Sequence, residues 1–396
     1  MRSGETEDGV RVAFAGTRAE LFGIILRGYL LMVPTLGIYR FWLTTWKRRF
    51  YWSRTSIGGD TLEYTGSAMQ LLVGFLFALV VFVPIYGIFF YLSTQTSELA
   101  VIGYLAVGVF IWFLSGYAIY RARDFRLSRT LWRGIRFDQR GSAWAYALRR
   151  FLWSLLMVVT LGLVYPFMAI SLWRYRYRNT WFGDRQFGFS GSWKQVAGPY
   201  YLAYVLVAVL AVATFASKVA SATAATDFSD PRTVALAVLT VIAGWLLYYR
   251  YKARTVSRLL STVTCGEARL TVHVKARALL WQFVLFALAL LAVLVAGALV
   301  VLAVFGYWLG HRFSPDIGAF AASGILAIVL MGLAYLAVIA VFSLLSEVFL
   351  GYGYWMLVAR GASIANLDSL DSVRAAAEDK SLAGEGLADA LNVGAY

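Results

Sequence analysis

The sequence predicts an all-α polytopic membrane protein. We expect six full transmembrane helices, two re-entrant or additional spanning segments (six to eight in total), and short cytoplasmic β segments. Three observations lead to this fold class: an apolar composition, long uncharged runs and an internal repeat. Of the 396 residues, 60% are hydrophobic and 14% are charged, which is too little charge to cover a soluble domain of this length.

Six runs each supply about the ~20 apolar residues that cross a bilayer as a helix. They are Leu71–Tyr91, Leu99–Tyr120, Tyr200–Ser217, Thr233–Tyr249, Leu279–Trp308 and Ile317–Ser346. Basic residues concentrate in residues 40–63, 121–150, 174–194 and 250–277, whereas the other connections are nearly neutral. The positive-inside rule therefore places the basic blocks and both termini in the cytoplasm. The six runs then form three hairpins that rise from the cytoplasmic side.

An internal repeat without gaps divides the chain. Thr35-Leu36-Gly37-Ile38 reappears as Thr160-Leu161-Gly162-Leu163, and the same shift carries Arg49 onto Arg174 and Gly66-Ser67 onto Gly191-Ser192. We expect a disordered N-terminus (1–8), a first membrane repeat (9–125), a second membrane repeat (134–250), a third and divergent membrane hairpin module (251–360), and an acidic cytoplasmic tail (361–396). If the repeats point the same way, each crosses the membrane an even number of times.

Two apolar stretches, Leu21–Trp42 and Phe151–Trp173, have basic or cytoplasmic-looking sequence on both sides. Helix-weakening residues interrupt each of them near its middle. This broken-helix motif consists of Pro34, Thr35, Gly37, Thr160, Gly162 and Pro166. We interpret both stretches as re-entrant or interfacial, because irregular backbone at depth needs cover from protein or water. The alternative is two ordinary spans and eight crossings in total.

Short segments with alternating apolar residues recur between the membrane elements, which is the pattern of half-buried strands. They are Val10–Gly16, Asp60–Gly66, Gly134–Gly141, Asp184–Gly191 and Glu267–Val274. A lone hairpin is marginally stable in water, but several strands can pair. We predict one small cytoplasmic sheet. Amphipathic turns lying on the headgroups are the alternative.

Several motifs together resemble the YjgN-type family of bacterial inner-membrane proteins. They are Phe14-Ala15-Gly16, Thr35-Leu36-Gly37-Ile38-Tyr39 with Trp42, Arg48-Arg49-Phe50-Tyr51, Leu62-Glu63-Tyr64-Thr65-Gly66, Ser128–Phe137 and Thr160-Leu161-Gly162-Leu163. The resemblance covers roughly residues 10–280, and the final third matches less well. It implies a multi-pass inner-membrane protein whose biochemical role is not established. It supplies no catalytic residues.

The sequence does not indicate an enzyme, a cofactor or a metal site. Cys265 is the lone cysteine, and the two histidines, His273 and His311, lie far apart, so no thiolate cluster is available. No phosphate-binding glycine-rich loop is present either. The net charge of +15 fits membrane topology and anionic lipid rather than nucleic acid. Arg27 and Glu347 are the two charges expected near membrane depth, where charges often mark functional sites.

Two functions remain open. Duplicated halves with broken helices favour transport or channel-like passage of an unidentified solute. The alternative is a non-transporting protein that interacts with anionic membrane lipids or organises the envelope, because arginine and tryptophan recur at the membrane boundary. The predicted headgroup contacts are Arg48, Arg49, Arg121, Arg123, Arg174 and Arg176. In both cases we expect a multi-pass protein of the bacterial inner membrane.

Overall fold

Pairs of helices alternate with pairs of short strands along the chain. The computed structural model describes residues 5–6, 9–95, 98–220, 230–310 and 324–376. The helices are α1 (Arg18–Met32), α2 (Arg40–Ser53), α3 (Ala68–Ser93), α4 (Glu98–Ser128), α5 (Ala143–Val159), α6 (Tyr165–Arg178), α7 (Lys194–Ala220), α8 (Pro231–Leu260), α9 (Ala276–Gly310), α10 (Gly324–Leu345) and α11 (Tyr352–Arg360). A π-helical turn, Ser346–Gly351, joins α10 to α11.

The strands form a closed antiparallel barrel, so the expectation of an all-α fold is wrong. The strands are β1 (Glu5–Thr6), β2 (Gly9–Phe14), β3 (Thr55–Ile57), β4 (Asp60–Tyr64), β5 (Thr130–Trp132), β6 (Ile135–Gln139), β7 (Thr180–Phe182), β8 (Arg185–Phe189), β9 (Val263–Cys265), β10 (Ala268–Val272) and β11 (Ala362–Ala365). Strands β3 to β11 follow one another round the ring, and β2 pairs with both β11 and β3. The barrel therefore has no free edge among these ten strands.

The strands join in pairs through two-residue turns. Ile57 pairs with Asp60, and Trp132 pairs with Ile135, so only two residues separate each strand from the next. Gly58 and Gly59 have φ angles of +62° and +95°, which glycine adopts without a steric penalty and which suit tight hairpins. The pair β2–β11 has no such turn because it joins the two ends of the chain, with Ile364 opposite Val10. This non-local pair closes the ring.

Side chains fill the barrel at the end away from the helices. Trp132, Phe182 and Cys265 belong to one buried cluster with Leu367 and Val373. Leu367 begins a 3₁₀ helix (Leu367–Leu370) that directly follows β11 and plugs this end. The described start of the expected acidic tail is therefore strand and plug, and residues 377–396 lie outside the described residues.

Six helical segments in the described part of the chain are long and apolar enough to cross a membrane. They are Ala68–Ser93, Ala100–Ser128, Lys194–Val219, Pro231–Leu260, Ala276–Val300 and Tyr335–Arg360. The beginning of the expected run Ile317–Ser346 lies outside the described residues, as do residues 1–4 and 7–8 of the N-terminus. Glu5–Thr6 is a short strand paired with β2.

The two interrupted stretches are helical hairpins rather than continuous helices. Leu21–Trp42 contains the turn between α1 and α2, and Phe151–Trp173 contains the turn between α5 and α6. In every helix pair, the first helix starts and the second ends next to a barrel strand. All the strand pairs therefore lie on one side of the helical bundle.

Candidate functional site

Buried threonines line the mouth of the barrel that faces the helices. Thr55, Thr130 and Thr180 begin β3, β5 and β7 and are at most 7% exposed. Each hydroxyl donates a hydrogen bond to a carbonyl in the last turn of the preceding helix, at 2.7 to 2.8 Å. These bonds satisfy carbonyls that a helix end leaves without partners. The transition from helix to strand is thereby fixed at three places around the ring.

Each of these threonines also accepts a bond from the neighbouring unit. Trp355 Nε1 donates to Thr55 Oγ1 at 3.0 Å, and Trp52 Nε1 donates to Thr130 Oγ1 at 2.8 Å. Arg123 makes the equivalent contact at the next transition from helix to strand, where its Nη1 donates to Thr180 Oγ1 at 3.2 Å. Successive helix ends are therefore interlocked through the barrel mouth.

Arg123 also belongs to a group of three arginines, which we call the arginine cluster: Arg123 on α4, Arg150 on α5 and Arg176 on α6. Arg123 donates to Gln139 Oε1 at 3.2 Å and lies 4.9 Å from the ring centre of Tyr177. The positive charge of Arg176 acts on both Arg123 and Arg150. Arg176 is therefore close enough to repel each of the other two guanidinium groups.

The protein partners of the arginine cluster are neutral. Arg150 Nη1 donates to Ser115 Oγ at 2.6 Å, and Arg176 lies 5.5 Å from the ring centre of Trp173. The Nε of Arg176 is buried without a hydrogen-bond partner. In the described residues none of the three arginines forms an ion pair. Positive charges that are partly removed from water without a counter-charge are costly, so this arrangement favours an anion.

The other predicted headgroup arginines have protein partners of their own. Arg48 donates to Tyr64 Oη at 2.8 Å, and Arg121 pairs with Asp124 at 2.9 Å. Arg49 and Arg174 donate to the backbone oxygens of Gly66 and Gly191, at 3.4 and 3.2 Å. Arg49 and Arg174 are exposed to solvent. Arg123 and Arg176 are instead partly buried and are the two predicted residues that the fold brings together with neutral partners.

The broken-helix residues form the tips of the two short hairpins. Gly37 and Gly162 have φ angles of +86° and +93°, and Leu36 is 93% exposed at the first tip. The two tips differ in their surroundings. Three tyrosines of α7 donate to backbone oxygens of the second tip at 2.8 to 2.9 Å, namely Tyr200 to Gly162, Tyr201 to Leu163 and Tyr204 to Leu161.

The remaining broken-helix residues take ordinary places at these turns. The hydroxyls of Thr35 and Thr160 donate to carbonyls four residues earlier, at 2.7 and 2.8 Å. Pro34 lies in the first turn, and Pro166 is buried at the start of α6. Nothing in these contacts is specific to a bound solute.

The two expected intramembrane charges do not pair with each other. Glu347 is buried in the π-helical turn, where it accepts bonds from Lys47 Nζ and Tyr51 Oη, each at 3.0 Å. Arg27 is exposed on α1. Sequence reasoning missed Lys47 as the partner of Glu347 because the two residues are 300 positions apart.

The opposite end of the barrel holds a compensated charge. Arg133, in the turn between β5 and β6, pairs with Asp60 of the barrel and with Asp371, the residue directly after the plug helix. These carboxylates raise the pKa of Arg133 above its ordinary value. Burial raises the pKa of the Cys265 thiol to about 11. In the described residues no group of three potential ligands could hold a metal ion.

Comparison with known families identifies the family of this chain. Residues 9–390 match a family model described as a bacterial protein of unknown function, DUF898. The chain belongs to this family. The expected YjgN-type membership is thereby confirmed, since that is the same family. No curated protein and no solved structure matches the chain.

Proposed function

We propose that this member of the DUF898 family is a non-transporting membrane protein that binds anionic phospholipid headgroups at the arginine cluster. The observation that carries this proposal is that Arg123, Arg150 and Arg176 lie together with neutral protein partners only. Arginine suits a phosphate because its planar group donates two parallel hydrogen bonds. The proposal is a binding role rather than catalysis.

The depth of the cluster fits a headgroup. Arg123 lies seven residues before Thr130, and Arg176 lies four residues before Thr180. At about 1.5 Å per residue, both are within roughly 10 Å of the barrel strands. They are thus at the barrel-side ends of their helices, where a membrane interface is expected.

The short hairpin α5–α6 gives lipid a way to approach. Its helices have 17 and 14 residues, or about 25 and 21 Å at 1.5 Å per residue. Both are shorter than a hydrocarbon core of about 30 Å. A lipid beside α5 can therefore place its phosphate against Arg150 and its chains beside the apolar outer face.

Solute passage along the barrel is the less favoured hypothesis. The barrel is occupied by Trp132 and Phe182 and plugged by Leu367 and Val373. A solute on the axis would have to displace this packed cluster, which carries a large cost for each buried apolar side chain (about 1.5–3 kcal/mol). These contacts support a binding role over a conducting one.

We further propose that the protein lies in the bacterial inner membrane with the barrel and both termini in the cytoplasm. The basic blocks on the barrel side support this orientation. The matching bonds of Arg49 to Gly66 and of Arg174 to Gly191 support an internal duplication with both copies pointing the same way.

Thiol labelling of intact cells tests the orientation. In a Cys265→Ser background, single cysteines replace the exposed Gln186 on the barrel and the exposed Thr94 after α3. We expect an impermeant thiol reagent to label position 94 in intact cells and position 186 only after permeabilisation. The reverse pattern would invert the proposed orientation.

Lipid-dependent stability tests the function. The full chain is reconstituted in nanodiscs of phosphatidylcholine with or without phosphatidylglycerol, and its melting temperature is measured. At a lipid level about 100-fold above Kd, binding adds about 2.7 kcal/mol of stability, so the anionic lipid should raise the melting temperature by several degrees. The double variant Arg150→Gln/Arg176→Gln should lose most of this increase.

The matched control is Arg269→Gln, which removes an exposed arginine on the outer face of the barrel. It should keep the full increase with phosphatidylglycerol. The melting temperature in pure phosphatidylcholine reports any direct effect of each variant on folding. An equal increase in the double variant and the wild type would refute the arginine cluster as the headgroup site.

A further inference from the structure

A groove of about 670 Å³ lies between α8, α9 and the segment that joins α10 to α11. Aromatic rings form much of its wall. Trp245 stacks on Phe283 with ring centres 4.4 Å apart, and Phe286 meets Phe342 at 5.6 Å. Pockets of about 300–1,000 Å³ with mostly apolar walls are typical of small-molecule sites. The groove shares no lining residue with the arginine cluster, although Tyr354 of its wall lies near Tyr177, the ring that Arg123 contacts.

Lys252 is the single charged residue that lines this groove. Its Nζ lies 4.8 Å from the ring centre of Tyr354 and 5.9 Å from that of Tyr248. Within the described part of the chain, no carboxylate pairs with Lys252. A cation held between aromatic rings at one end of an apolar groove favours a ligand with a single negative charge.

The direction of the groove fits an amphiphile in a bilayer. Lys252 lies eight residues before the barrel-side end of α8 at Leu260, whereas Thr240 lines the groove twelve residues further from that end. At about 1.5 Å per residue, the groove runs roughly 18 Å along the helix. Trp245 and Tyr248 are exposed, so the groove opens sideways toward lipid.

We propose that this groove binds a single-chain carboxylate amphiphile, a long-chain fatty acid, with its carboxylate at Lys252 and its chain along α8. Lysine presents one compact point charge, which balances the single charge of a carboxylate, and the groove of about 670 Å³ is lined along α8 by apolar side chains that suit one acyl chain. The inference goes beyond the proposed headgroup binding and uses different residues. Each of the two proposals can fail without the other.

Photocrosslinking gives a test that locates the ligand. The full chain in phosphatidylcholine nanodiscs is exposed to a palmitate analogue carrying a diazirine, irradiated, and mapped by peptide mass spectrometry. We expect labels on α8 and α9 near Trp245 and Phe283. Palmitate should compete with the label, and methyl palmitate, which lacks the charge, should not.

Two variants separate charge from space. Lys252→Met should weaken binding at least tenfold, whereas Arg250→Gln, an exposed arginine on the same helix, should leave it within twofold. Gly244→Leu adds a bulky side chain at a position that lines the groove, and a Cβ there has room because its one near neighbour, Val207, is 4.0 Å away. The Gly244→Leu variant should abolish labelling although Lys252 is still present. It therefore tests whether the groove is the binding site even if Lys252→Met does not fold.

Four results would overturn the proposal. Equal competition by methyl palmitate, or unchanged labelling in Lys252→Met, would mean that the charge plays no part. Labels spread over all lipid-facing helices would indicate simple partition into the bilayer. Competition by phosphatidylglycerol as strong as that by palmitate would assign the groove to a phospholipid instead.

Discussion

The thiol of Cys265 lies on β9 in the same buried cluster as Trp132 and Phe182. Removal from water disfavours the charged thiolate, so the pKa of the thiol rises from its ordinary 9.0 to about 11. Because the thiolate is the nucleophile, we expect Cys265 to react slowly in the folded protein. Cys265 acts as a packing residue of the barrel interior.

Thiol reactivity tests this environment. At pH 8 a rise in pKa from 9.0 to about 11 lowers the thiolate fraction by roughly 100-fold, and burial slows access further. We therefore expect an aromatic disulfide reagent to react with Cys265 at least 100-fold more slowly in the folded protein than after denaturation. Rapid reaction of the folded protein would mean that the barrel is open at β9.

Charge at single positions depends on partners that are remote in the sequence. Glu347 is neutralised by Lys47, and Arg133 is neutralised by Asp60 and Asp371. The residue types alone had marked Glu347 as unusual for a membrane helix. The residue types alone could not distinguish Glu347, whose charge is paired, from Arg123 or Lys252, for which the described residues offer no counter-charge.

At the scale of elements, the two short helical hairpins have the same turn but differ in the side chains that hydrogen-bond to it. The tips Leu36-Gly37 and Leu161-Gly162 both have positive φ angles. The residues of α3 that match Tyr200, Tyr201 and Tyr204 by the repeat are Phe75, Leu76 and Leu79, which carry no hydroxyl. Backbone carbonyls deep in a bilayer need hydrogen-bond donors, and α7 supplies three to the second tip whereas α3 has no hydroxyl at the matching positions.

Removing these hydroxyls should loosen the second tip. For the double variant Tyr200→Phe/Tyr204→Phe, we expect a loss of about 1 kcal/mol of stability for each bond. Hydrogen exchange of residues 160–164 should become faster, while exchange in the barrel stays unchanged. Tyr86→Phe, an exposed tyrosine of α3, is the control. Unchanged exchange at the tip would show that the tyrosine bonds do not hold it.

At the scale of the whole molecule, the barrel joins all five helix pairs of the described chain. Its closure depends on β11, which brings residues after the last helix against β2 at the start of the chain. The plug that follows β11 adds Leu367 and Val373 to the interior. Segments near both ends of the described chain are therefore structural parts of one ring.

Truncation tests this closure. A chain that ends at Arg360 lacks β11 and the plug, and loses about 1.5–3 kcal/mol for each large apolar side chain removed from the core. We expect it to aggregate or to melt far below the wild type. A chain that ends at Ala376 keeps every described element and should melt like the wild type. Equal melting of both would mean that the ring is stable without β11.

Much of the element pattern could be predicted from the sequence because it is local. Runs such as Leu71–Tyr91 identify membrane helices by composition alone. The alternation in Asp60–Gly66 identifies β4 together with the residues that follow it. The three-residue strands such as Thr55–Ile57 were missed, because three residues are too few to show a period of two. That omission left the predicted sheet small and the fold class wrong.

The candidate site was predicted only in part. Arg123 and Arg176 were singled out as headgroup contacts, but so were Arg48, Arg49, Arg121 and Arg174, which bind other protein groups and do not belong to the arginine cluster. Arg150 lies in the basic block 121–150, and nothing in the sequence distinguishes it from the other arginines of that block. Lys252 also gave no signal, since its meaning comes from the groove around it.

The sequence by itself determined a membrane protein with apolar helices, turns at the two Thr-Leu-Gly sites and alternating strands between helices. Composition and short-range periodicity carry that information. The tertiary structure decided that the strands close into a barrel through the two chain ends, that three arginines share one place, and that Lys252 faces an apolar groove. These features depend on contacts between residues far apart in the chain. Such contacts stabilise the protein only once the ring is assembled.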